Sequence, residues 1–238
     1  MAAGAGERVQ ELVARLGRHP AAGLGLDLAR EEDLAAWLVL ACLLTGRAAE
    51  ERAGQAFRAL RELGLTSVGA LAAAEPAAVA AALAGAGYPA PERAAATLVR
   101  LGRALRARRR GSLARLGSEA LGSDDLATRL VRLAPGFGPA GVLRFLRPLR
   151  DHWPAAREVP LAPAARSAAR HLGLLAERED EEGEPGALRA ALGSLPGAPP
   201  LADLEAALER LGSRACLRER PERCPLGADC PRRGRPRG

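Results

Sequence analysis

Three observations predict an all-α fold. Apolar residues recur at helical spacing: Leu34, Trp37, Leu38, Ala41 and Leu44 stand at i, i+3, i+4, i+7 and i+10, one face of a 3.6-residue helix. Prolines stand where helices should begin, at Pro76, Pro91, Pro139 and Pro163, because the first helical position tolerates a missing N–H. No alternation of β-branched residues runs beyond three positions, so nothing reads as a half-buried strand.

The helical period continues through Ala53, Phe57 and Leu60, through Ala94, Leu98, Leu101 and Leu105, and through Leu201, Leu204, Leu208 and Leu211. Only 3% of residues are aromatic, so these helices must pack through leucine and alanine. Four stretches break the pattern. Gly111 to Asp125 is rich in Gly and Ser and is expected to be a loop. Arg178 to Gly186 (REDEEGEPG) reads as an acidic, solvated connection. Pro196 to Pro200 is a joint. The tail after Cys230, residues 231–238 (PRRGRPRG), is basic and too polar to fold alone, so disorder is expected there.

A chain of 238 residues allows one large or two small domains with a real core. The formal net charge is +7 and the pI about 10.6, which suits a polyanionic partner such as nucleic acid. The chain contains no Lys, Ile or Asn. Their AT-rich codons point to a GC-rich coding sequence, so Arg is here the available cation and part of the basic surplus reflects that bias. No apolar run reaches the ~18 residues needed to span a membrane. The start, MAAGAGERVQELV, lacks the charged and apolar regions of a signal peptide. A soluble, cytoplasmic and nucleoid-associated protein is expected, and a monomer.

Leu130 to Leu149 (LVRLAPGFGPAGVLRFLRPL) reads as a helix, the turn Pro135-Gly136-Phe137-Gly138, and a second helix opened by Pro139. Leu130, Leu133, Phe137, Val142, Leu143 and Leu146 can pack the two helices together. Glycines permit a tight turn with outward N–H groups, and a helix N-terminus adds orphan donors and a positive dipole end. Such a turn can hold a phosphate without reading base sequence. A GxG turn is also an ordinary helix–helix joint; the apolar spacing on both sides favours a helix–hairpin–helix motif. Pro139 removes one donor.

The end of the chain reads Cys216-x7-Cys224-x5-Cys230. Three thiols within 15 residues suit an iron–sulfur cluster, and a reducing cytosol disfavours disulfides. Zinc is the alternative, but no fourth ligand is local; His19, His152 and His171 are all distant in sequence. Cys42, on an apolar helix face, reads as a small buried hydrophobe.

These segments, in this order, resemble the endonuclease III family of helix–hairpin–helix DNA glycosylases. Leu43-Leu44-Thr45-Gly46-Arg47 is similar to the family's LLSAQ segment, and Leu130 to Val142 to its LPGVGRKTA hairpin. Val159 to Leu174 (VPLAPAARSAARHLGL) is similar to VDTHVRRVARRLGL. Leu201 to Cys216 is similar to the helix delivering the first cluster cysteine, and PLGADCP to the stretch around the last two. The resemblance covers residues 34–231. It implies two helical domains flanking a DNA cleft: a six-helix barrel over 30–148, with the hairpin at 130–149, and a discontinuous cluster domain from 1–29 and 149–238. It also implies a [4Fe–4S] cluster on Cys216, Cys224 and Cys230, and double-stranded DNA as partner through Gly136, Phe137, Gly138, Ala140 and Arg47.

The departures fall on the chemistry. Ala140 stands where the family has its nucleophilic Lys, whose amine would attack the sugar C1′. Ala162 stands where the family has its Asp, and neither Asp151 nor Glu158 is at that position. Arg47 replaces the Gln that fills the gap left by a flipped base. The cluster pattern C-x6-C-x2-C-x5-C is short of one Cys, leaving Glu219, Glu222, Asp229 or water to complete the ligands. The expectation is a DNA-binding protein on this fold without catalysis, serving damage sensing or an accessory repair role. The alternatives are an active base-excision-repair glycosylase with displaced residues, or a structural or protein-interaction domain that has lost DNA binding.

Overall fold

The computed structural model describes residues 3–45, 49–133, 135–176, 180, 183–218, 220–227 and 230. In chain order the helices are α1 (Ala3–Leu16), α2 (Pro20–Gly23), α3 (Glu31–Leu43), α4 (Glu50–Glu62), α5 (Val68–Ala73), α6 (Pro76–Gly85) and α7 (Pro91–Arg109). There follow α8 (Leu113–Ser118), α9 (Ser123–Val131), α10 (Pro139–Leu146), α11 (Pro163–His171), α12 (Glu184–Gly193) and α13 (Leu201–Leu211). No strand occurs among the described residues, so the fold is all-α. Pro76, Pro91, Pro139 and Pro163 each open their helix. Among the described residues no helix is long and apolar enough to cross a membrane.

The chain divides into two compact units: Met1–Gly25 with Glu158–Gly238, and Leu26–Arg157. The second division lies beyond the expected 148/149 because Trp153 belongs with the preceding residues. Its ring lies edge-on to Phe145, centroids 6.0 Å apart, and a Cβ on Gly117 would come within 2.5 Å of it.

In the Leu26–Arg157 unit, α3 is central. Every residue from Leu34 to Leu43 is buried, not one stripe alone. A helix that is apolar all round must be enclosed, and Trp37 also spends its indole N–H on the Phe145 carbonyl at 2.9 Å. The longest helix, α7, packs on α5 so closely that a Cβ on Gly102 would lie 2.7 Å from the Ala72 nitrogen. It ends on Arg110 in the left-handed region, φ 53°, followed by Gly111 at 81°. The expected loop over 111–125 instead holds α8 and the start of α9. Local propensity is overridden there: the Glu31 carboxylate accepts the N–H groups of Leu113 and Ala114, Ser112 caps Arg115, and Leu113 and Leu116 are fully buried.

The other unit joins both ends of the chain. Val9 and Leu12 of α1 share a core with Leu161, Ala165, Leu188, Leu204 and Leu208. Buried Asp203 binds the N-terminal segment, accepting Arg18 Nε at 2.7 Å and the His19 N–H at 2.9 Å. Helices α11 and α13 meet backbone to backbone at Gly212, after which the chain makes a π turn over Gly212–Cys216, its Leu217 N–H reaching the Gly212 carbonyl at 2.9 Å. The acidic stretch is not wholly a solvated connection. Its residues 178–179 and 181–182 lie outside the described residues, but Glu184 opens α12 and is fully buried between Arg166 and Arg170, at 2.6 and 2.8 Å. Two guanidinium partners offset the cost of burying that charge.

Candidate functional site

The turn between α9 and α10 is built by its glycines. Gly136 has φ 104°, which favours glycine, and a Cβ there would also stand 2.6 Å from Thr97 Oγ1 of α7. Phe137 is buried, packed where a Cβ on Gly141 would meet its ring at 2.9 Å. Its aromatic face is therefore part of the core, and it can offer a ligand only its backbone. Gly138 caps α10 with an extended backbone, is exposed, and has nothing within 4 Å of a would-be Cβ. The first helical N–H groups to find an acceptor are those of Gly141 and Val142, both onto the Gly138 carbonyl. Pro139 has no N–H, and that of Ala140 finds no acceptor among the described residues. Gly136, Gly138 and Ala140 thus form one exposed backbone rim at a helix N-terminus, where an anion is favoured.

Arginines lie on the segments that meet at this turn. Arg132, at the entry to the turn, is exposed, and Arg108 of α7 reaches its carbonyl at 3.4 Å. Arg93, also exposed, lies on the rim of a cavity of about 470 Å³ that Gly136 helps to line. No sequence motif marks this cavity, because its walls come from segments far apart in the chain. Cys42, Thr45, Tyr88 and Thr97 complete its polar lining. Each hydroxyl spends its proton on a main-chain carbonyl: Thr45 on Cys42, Tyr88 on Leu43 and Thr97 on Arg93, at 2.6, 2.7 and 3.0 Å. Burial pushes the Cys42 thiol up to about 12. Burial, with the neighbouring Cys42 charge, takes Tyr88 to about 12 as well. Both are neutral near pH 7, so among the described residues the cavity's lining offers hydrogen bonds and the Arg93 cation.

Arg47 lies outside the described residues. Ala162 belongs to the other unit, where it is buried and precedes α11. The carboxylate beside it is one that sequence reasoning missed. Glu205 of α13, itself buried, accepts the Ala162 N–H at 3.4 Å. Asp151 and Glu158 are both exposed.

Cys224 is buried, and Cys216 and Cys230 pack half-buried against the same core. The Cys224 sulfur accepts the Leu226 N–H and shares a hydrogen bond with the Cys230 thiol; burial, foremost, raises its pKa. Among the described residues no three His, Cys, Asp or Glu side chains converge as metal ligands. Glu219 and Asp229 lie outside the described residues, and Glu222 is exposed. The described donors are thus the three thiols alone, with Cys224 and Cys230 the adjacent two.

No family model and no curated protein matches the sequence.

Proposed function

We propose that this chain is a DNA-binding relative of the endonuclease III family that lacks glycosylase and lyase chemistry, suited to damage sensing or an accessory role in repair. The observation that carries the reading is the exposed backbone rim of Gly136, Gly138 and Ala140 at the start of α10, with Arg93, Arg108 and Arg132 on the segments that meet there. Backbone donors and arginines bind phosphates without reading bases. Affinity for a duplex should fall steeply between 50 and 200 mM salt as counterions are released. Gly138→Val tests the rim directly. The site has room for the side chain and ordinary φ, so the fold survives, while the branched side chain blocks close approach of a phosphate. A loss of about tenfold in affinity, ~1.4 kcal/mol, is expected. Fluorescence anisotropy with a labelled duplex measures both effects; salt-independent binding, or none at low salt, rejects the proposal.

Chemistry fails for want of groups. A Schiff base with the sugar needs an amine that can be neutral near pH 7, and arginine stays protonated. The chain has no Lys, and Ala140 and Ala162 stand at the family's two catalytic positions. Borohydride trapping on abasic-site DNA should yield no adduct. The α-amino group is controlled for by repeating the trap on a chain lacking its first six residues; an adduct that survives this truncation defeats the proposal.

A further inference from the structure

Beyond DNA binding, and standing whether or not the chain binds DNA, the C-terminal cysteines have a chemistry of their own. Two backbone hydrogen bonds link Cys224, Gly227 and Cys230. The Gly227 N–H meets the Cys224 carbonyl at 3.0 Å, and the Cys230 N–H meets the Gly227 carbonyl at 3.3 Å. Gly227, at φ 56°, supplies the left-handed residue this path needs. The loop is anchored at two further points: Leu226 is buried in the unit's core, and the Pro225 carbonyl accepts Arg15 Nη1 of α1 at 2.7 Å. The same core holds Cys224 and receives Cys230, and the two thiols share a hydrogen bond.

We propose that Cys224 and Cys230 form a redox-active thiol pair that closes to an intramolecular disulfide, in place of the four-ligand cluster implied by the family resemblance. The oxidant is a low-molecular-weight disulfide. Cys230, the more accessible of the two, attacks one sulfur of that reagent as the thiolate. The reagent's S–S bond breaks, one small thiol leaves, and a mixed disulfide forms on Cys230. Cys224 loses its proton to water and attacks the Cys230 sulfur, expelling the second small thiol. The two protein thiols are oxidised by two electrons, and the reagent is reduced to two thiols, which carry the two protons. Closure pins the loop after Cys216 to the core of its unit.

The test uses the full chain, prepared under reducing, iron-replete conditions and then exposed to oxidised glutathione. Expected are no stoichiometric iron or zinc as prepared, loss of two of the four thiols that alkylate once the chain is denatured, and a single 224–230 linkage on non-reducing peptide mapping. Cys216 stays open to alkylation. In Cys224→Ser a glutathione adduct should persist on Cys230, because no thiol resolves it; should that variant not fold, the wild-type peptide map decides alone. Stoichiometric iron or zinc, a linkage through Cys216, or four thiols surviving oxidation would overturn the proposal.

Discussion

Replacing Gly212 with alanine is expected to destabilise the unit formed by the two chain ends by about 3 kcal/mol or more, at or beyond the upper end of ordinary overpacking. The added Cβ would stand 1.9 Å from the Ala164 carbonyl oxygen, 2.5 Å from its carbon and 2.9 Å from its Cα. All three are backbone atoms of α11, so no side chain can rotate away and the helices must separate. Backbone preference acts the other way. Gly212 has helical φ and ψ, where alanine gains about 1 kcal/mol over glycine. Sterics outweigh that gain. The readout can be resolved by unit, because the two tryptophans, Trp37 and Trp153, both belong to the Leu26–Arg157 unit. In urea, circular dichroism should lose helix early while tryptophan fluorescence keeps its wild-type midpoint. Gly23→Ala, with nothing within 4 Å of the new Cβ, serves as control. A circular-dichroism midpoint unchanged in Gly212→Ala would show that α11 yields without cost.

The helical class was legible because period and punctuation agree. Leucine spacing marked α3, α4, α7 and α13, and prolines marked the starts of four helices. What stayed hidden depends on residues far apart in the chain. Segment 111–125 looks like a loop on composition, yet Glu31 caps α8 from some eighty positions upstream, and Gly117 is glycine because Trp153 lies on it. Alanine is the other source of error. In an Ala-rich chain the same residue covers an exposed face or lines a contact between helices, so the enclosure of α3 on every side could not be separated from an ordinary apolar stripe.

The candidate site shows the same division. The glycine turn was legible from Gly136 and Gly138, which backbone geometry requires or permits. Thr97, which limits Gly136 from behind, was not, nor was the cavity, assembled from the end of α3, the start of α7 and the turn. Phe137 was legible as a residue packing the two helices, and its ring is buried; the resemblance added a DNA contact, for which only its backbone is left. Cys224 and Cys230 were legible as members of a thiol cluster, but the hydrogen bond that pairs these two was not.

Glu184 carries the second large effect. It lies in a run whose composition marks it as solvated, yet it is fully buried and holds both Arg166 and Arg170 of α11 against the start of α12. Glu184→Ala removes the anion that both guanidinium groups bind and leaves its buried space unfilled. Breaking a buried pair from one side costs about 3–5 kcal/mol. The arginines here are 18% and 26% exposed, so water reaches them and the lower end, about 3 kcal/mol, applies. Glu184→Gln should cost less than the alanine variant, since its amide oxygen still accepts one bond and the space stays filled. The urea midpoint by circular dichroism should therefore fall in the order wild type, Gln, Ala. Equal midpoints for all three would mean that α12 is held by Leu188 and Leu192 alone, with the ion triad contributing nothing to stability.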